Sequence, residues 1–122
     1  MHYGFIGLGN LGSKLAARLA DAAFTVTAFD LDAALIESLE SHGVSRAAGP
    51  AELAATVDHV ITCLPSPEAS AKVLSQILDV MQPGASVIEM STISREDALR
   101  FAGLADAAGV GFLELPVTGG VH

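Results

Sequence analysis

A chain of 122 residues is long enough for one core and short for two, and with 51% hydrophobic but only 5% aromatic residues that core must be built from Ala, Val, Leu and Ile. The net charge of −8 and the isolated positions of the six cations, Lys14, Arg18, Arg46, Lys72, Arg95 and Arg100, exclude a basic patch for nucleic acid or anionic lipid. A single cysteine, Cys63, excludes an internal disulfide. No basic leader precedes an apolar run and no stretch is long enough to span a bilayer, so the expectation is a cytoplasmic chain with no membrane partner.

Tyr3 to Ile6 is apolar and β-favouring and reads as a buried strand. It breaks into Gly7-Leu8-Gly9-Asn10-Leu11-Gly12. Leu11, Leu15 and Leu19 then recur every four residues, with Gly12, Ala16, Ala17 and Ala20 between them, which predicts a helix able to lie close to a sheet. Thr25 to Phe29 is a second strand ending on Asp30, and Asp32 caps a helix that carries Leu35, Ile36 and Leu39 and closes at His42-Gly43. A short third strand is expected around Val44 to Ala47 and a short helix from Pro50 to Ala55. Val57 to Leu64 is the fourth strand, terminated by Pro65 and Pro67, and Glu68 to Val80 a helix with Val73, Leu74, Ile77 and Leu78 turned inward. Pro83-Gly84 turns into a fifth strand, Ser86 to Met90. Ser94, with Asp97 three residues later, starts a helix running to about Ala108. Gly111 to Leu115 is the sixth strand, stopped by Pro116.

Strand and helix alternate throughout, which predicts an α/β fold: a doubly wound parallel sheet of about six strands with helices on both faces and a ligand crevice at the carboxyl ends, where the strand order reverses. In that setting the glycine run is a Rossmann-type cradle for a dinucleotide. Gly7 allows the tight turn, Gly9 lets the backbone approach a pyrophosphate, and Gly12 lets the helix pack on the strand. Leu8 lies in the same loop, and the amides of Asn10 and Leu11 would face the phosphates with the helix dipole behind them. Asp30 is placed to accept the adenosine ribose hydroxyls, or else to cap the next helix as Asp32 does. Leu31, Asp32 and Ala33 bring no arginine and Asp30 would repel a 2′-phosphate, so the expected cofactor is NAD rather than NADP.

Three further strand ends face the same crevice. Leu64-Pro65-Ser66 exposes backbone groups near the dinucleotide or is simply a strand stop. Ser91-Thr92-Ile93 offers hydroxyls to the nicotinamide end or caps the helix that follows. Pro116-Val117-Thr118-Gly119-Gly120 is suited to presenting N–H groups to a carboxylate. His2, His42 and His59 are dispersed, so no metal-ligand spacing arises, and Cys63 in an apolar strand reads as inert packing.

Together F-I-G-L-G-N-L-G, I-T-C-L-P, M-S-T-I and L-P-V-T-G-G resemble the β-hydroxyacid dehydrogenase family, which includes 3-hydroxyisobutyrate dehydrogenases and is related to 6-phosphogluconate dehydrogenase. The resemblance implies that Gly7 to Gly12 and Asp30 bind the dinucleotide and that Leu64, Pro65 and Thr92 contact it further along. It also implies that Thr118, Gly119 and Gly120 hold the carboxylate of a small hydroxyacid. Leu11 and Leu15 stand where the family often has methionine, Arg18 replaces an asparagine, and Ala23 replaces a glycine, so the exit from the first helix is expected to differ locally. Thr118 replaces a serine and Glu114 an aspartate in the substrate motif. Residues 1–122 are expected to form the dinucleotide-binding domain of a longer oxidoreductase whose helical domain carries the catalytic lysine and mediates association into homo-oligomers. Neither Lys14 nor Lys72 matches that lysine, so this chain alone is expected to bind and not to turn over. A non-catalytic nucleotide-binding or sensing module would use the same cradle.

Overall fold

The computed structural model describes residues 1–115, so the expected carboxylate motif at Thr118, Gly119 and Gly120 lies outside the described residues. The apolar runs become strands β1 (His2–Ile6), β2 (Thr25–Phe29), β3 (Ser45–Arg46), β4 (His59–Thr62), β5 (Ser86–Glu89) and β6 (Gly111–Glu114). They are joined by helices α1 (Gly9–Asp21), α2 (Ala33–Glu40), α3 (Pro50–Ala54), α4 (Pro67–Ile77) and α5 (Arg95–Ala107). All strand pairs are parallel, in the order β3-β2-β1-β4-β5-β6. The order reverses between β1 and β4, and such a reversal opens a crevice at the carboxyl ends of those two strands.

Side-chain alternation along the strands divides the core in two. Phe5, Val26, Ala28 and Ile61 face α1 and α2, where they meet Ala16, Ile36 and Leu39. Ile6, Val60 and Val87 face the other way and pack with Leu53, Val73, Leu74, Ile77, Phe101 and Ala105 from α3, α4 and α5. A parallel sheet covered on both faces has no wet side, which is why its central strands read as continuous apolar runs rather than alternating ones.

Several element ends shift by one residue, and three elements differ more from the sequence pattern, each for a local reason. The fourth strand is shorter than Val57 to Leu64. Beyond Cys63, whose N–H still donates to the Ile6 carbonyl at 3.2 Å, its neighbour β1 has turned away at Gly7. β3 is reduced to two residues because it pairs only with Thr27 and Ala28 of β2 at the sheet edge. The fourth helix stops at Ile77 instead of Val80, its end tightened by a bond from the Val80 N–H to the Ile77 carbonyl.

The exit of α1 keeps a glycine-like path with an alanine in it. Ala23 has φ 73°, the Ala23 N–H donates to the Ala20 carbonyl and the Phe24 N–H to the Leu19 carbonyl. That is a Schellman ending, whose left-handed residue is usually glycine. The substitution at this position is absorbed as backbone strain.

Candidate cofactor-binding crevice

The three glycines of the loop after β1 are needed for three different reasons. Gly7 has φ +79°, and a Cβ there would stand 2.5 Å from the Cys63 carbonyl oxygen and 2.6 Å from Leu64 Cδ2. Gly9 has φ +56°, yet nothing lies within 4 Å of where its Cβ would be, because that side of the loop is open. Gly12 sits inside α1, where a Cβ would come 3.2 Å from Cys63 Sγ. Gly7 therefore makes the turn, Gly12 brings the helix down onto β4, and Gly9 leaves the backbone bare toward the crevice.

The start of α1 is left uncapped by any side chain. The first amides of a helix precede its first i→i−4 bond and need partners from elsewhere. Leu8 donates its N–H to Asp30 Oδ2 at 2.8 Å. The amides of Gly9, Asn10 and Leu11 follow it, and all three residues line one cavity of about 800 Å³. Bare backbone at Gly9, an uncapped thirteen-residue helix and its dipole form an anion cradle that fits a pyrophosphate. Leu8 presents no side chain there, being 1% exposed and packed in the core with Phe5 and Ala16, whereas Leu11 is half-exposed.

Asp30 follows β2 and ties the loops on that side together. Its Oδ2 accepts from Leu8 N and its Oδ1 from Asp32 N, each at 2.8 Å. Asp32, and not Asp30, caps α2 by accepting from Ala34 N at 3.0 Å. A carboxylate has about four lone-pair sites, so with two in use Asp30 keeps acceptor capacity for ribose hydroxyls.

The same cavity is lined by Gly7, Leu8, Gly9, Asn10, Leu11, Asp30, Leu64, Pro65 and Thr92, bringing most of the sequence-derived site residues together. Gly12 and Ser66 are not on its wall. Gly12 packs beneath the loop, and Ser66 caps α4 by accepting from Ala69 N at 3.1 Å. Other lining residues were not singled out from the sequence. Ala69, Lys72, Val73 and Gln76 form one stripe of α4, and Pro50 joins them, while Cys63 and Ser91, both considered from the sequence, lie on the same wall. The stripe has the i, i+3, i+4, i+7 spacing that would have revealed a common face, but its mixed polarity hid it. Asp30 and Lys72 are the charged side chains on the wall among the described residues.

Cys63 lies beside this loop with its thiol pushed up to about 11, first by burial and second by the negative Glu89 nearby. It remains a neutral thiol at physiological pH, so its nearness to the cradle does not supply a nucleophilic thiolate. Among the described residues no group of His, Cys, Asp and Glu could hold a metal ion, and no helix is long and apolar enough to cross a membrane.

Residues 2–122 match the family model for the NAD binding domain of 6-phosphogluconate dehydrogenase. The chain belongs to that family. Within the wider β-hydroxyacid dehydrogenase group it is 36% identical over 117 residues to a probable 3-hydroxyisobutyrate dehydrogenase of Mycobacterium tuberculosis, covering 96% of this chain and 40% of the relative. A solved M. tuberculosis 3-hydroxyisobutyrate dehydrogenase with L-serine superposes with a TM-score of 0.92 at 34% identity, over 97% of this chain and 40% of that one. Psf3, solved with NADP+ and 2-OPP, gives a TM-score of 0.89 at 25% identity, over 96% of this chain and 43% of that one. This family domain thus spans about two fifths of the length of these relatives, and within it the glycine cradle and Asp30 occupy the crevice just described.

Proposed function

We propose that this chain is the NAD(H)-holding domain of an oxidoreductase that moves hydride between the cofactor and a small β-hydroxyacid. The observation that carries the reading is the uncapped start of α1 beside a bare Gly9, with Asp30 fixed at the far side of the same loop. When bound, the nicotinamide supplies the hydride donor or acceptor. The chain's own contribution is to bind and orient. The amides of Gly9, Asn10 and Leu11 hold the diphosphate, and Asp30 accepts the adenosine ribose hydroxyls. Leu64, Pro65 and Thr92 flank the nicotinamide half, and Thr118, Gly119 and Gly120 receive the substrate carboxylate. The proton on the substrate hydroxyl falls to a lysine of the longer protein.

Asp30 favours NAD. A 2′-phosphate beside its carboxylate meets like charge, and Leu31 and Asp32 offer it no cation. Calorimetric titration of this chain should give saturable binding of NAD, and of NADP on the order of tenfold more weakly, about 1.4 kcal/mol. Asp30→Asn should narrow that gap. Absence of binding by either dinucleotide sinks the reading, and equal affinities for the two sink the preference alone.

A further inference from the structure

Beyond the last rungs of the sheet, the loops that follow β4 and β5 are joined by one side chain. The ladder between these strands runs to the Thr62–Glu89 pair and one bond further, with Met90 N–H donating to the Thr62 carbonyl at 2.8 Å. The next rung is not backbone. Leu64 N–H donates to Ser91 Oγ at 2.7 Å, across 27 positions of sequence. Ser91 is 5% exposed, and Leu64, Pro65, Ser91 and Thr92 all lie on the wall of the crevice.

A hydroxyl has two acceptor sites and one proton to donate. Leu64 uses one acceptor site of Ser91, and the Ser91 proton meets no acceptor among the hydrogen bonds of the described residues. A hydroxyl that already accepts from an amide is polarised into a better donor. The arrangement mirrors the other half of the crevice, where Asp30 accepts from Leu8 N and so ties the loop after β2 to the loop after β1. Each half of the crevice is pinned by one side chain reaching across to a backbone amide. One pin is an anion, suited to hydroxyl donors. The other is a neutral hydroxyl with its proton still to give, suited to an uncharged oxygen acceptor.

We propose that Ser91 is the positioning residue of the nicotinamide half: it fixes the Leu64-Pro65 turn and donates its remaining proton to an uncharged oxygen on that half of the dinucleotide. This rests on the cofactor reading above and adds a residue and a division of labour to it.

The division gives the test. ADP carries the adenosine and diphosphate but no nicotinamide, so it reports the α1 and Asp30 side alone. Titrating this chain with NAD and with ADP, Ser91→Ala should weaken NAD by about tenfold, the scale of one lost hydrogen bond and one amide left unpaired, while ADP stays within about twofold of wild type. Ser91→Thr, which keeps the hydroxyl, should hold NAD closer to wild type than Ser91→Ala does. Unchanged NAD affinity in Ser91→Ala overturns the proposal. So does an equal loss for ADP, which would mark Ser91 as a structural residue of the whole domain, and so does a Ser91→Thr variant no better than Ser91→Ala. Failure of the wild-type chain to bind NAD would instead remove the cofactor reading itself.

Discussion

The N-termini of α1 and α4 make the same demand on the chain and meet it in opposite ways. Both follow central strands of the sheet, and both begin with amides that have no partner inside the helix. At α4, Ser66 folds its hydroxyl onto Ala69 N and Pro67 takes the first helical position, where its lack of an N–H costs nothing. At α1 no side chain caps the helix, and Asp30 accepts from the Leu8 amide ahead of it and from none of the first helical amides. The difference separates stability from function. A helix start that satisfies itself adds to the fold, while one that stays open holds its hydrogen-bonding capacity for something else.

That comparison can be broken most severely at Gly7. A methyl there meets the Cys63 carbonyl and Leu64 while holding φ at +79°. Gly7→Ala should lose about 3 kcal/mol in chemical denaturation, from left-handed strain plus overpacking, and dinucleotide binding with it. Gly9 sharpens the contrast, since its site is strained but empty. Gly9→Ala should cost only about 1 kcal/mol of stability but weaken NAD by on the order of tenfold, as the methyl stands in the cradle. If stability falls while NAD affinity stays at the wild-type level, the open side of Gly9 does not face the ligand.

Ser66→Ala at α4 should do the reverse, lowering stability by about 1 kcal/mol with NAD affinity unchanged. At the opposite end of α1, Ala23→Gly should raise stability by about 0.5–1 kcal/mol, the left-handed penalty less the added freedom of the unfolded chain. A loss of stability on that change would mean the Schellman ending is not strained. The last effect, silent at neutral pH, concerns Cys63. Its folded thiol ionises at about 11 against an ordinary 9.0, so both states are neutral below pH 9 and only the unfolded chain is ionised as pH rises above it. The wild type should therefore lose stability between pH 9 and about 11 more steeply than Cys63→Ala, followed by denaturation at each pH.

Much of the fold was legible because apolar periodicity and glycine placement carry it. β1, α1, β2 and α2 were all foreseen in order, and the parallel sheet followed from the alternation. What could not be read depended on which strands lie side by side. Ser91 reaches Leu64 only because β4 and β5 are neighbours in a particular register, which no local pattern states. Lys72 and Gln76 reach the crevice because α4 turns their stripe toward it. The end of the fourth strand was misplaced for a similar reason, since Cys63 and Leu64 are β-favouring by type but outlast the neighbour that would pair with them. Within the site, the separate duties of Asp30 and Asp32 emerged only from their hydrogen bonds.

The close seating of Gly12 on Cys63 has a consequence for how this sequence can drift. The sulfur stands 3.2 Å from the place where a methyl on residue 12 would go, with Cys63 Cβ and the Gly7 carbonyl oxygen at 3.4 Å. Positions 12 and 63 therefore share one tight volume, and an added methyl at residue 12 requires Cys63 to give way by a few tenths of an ångström. One order of substitutions is the easier one: Cys63→Ala first removes the sulfur at 3.2 Å, and Gly12→Ala then enters a looser site.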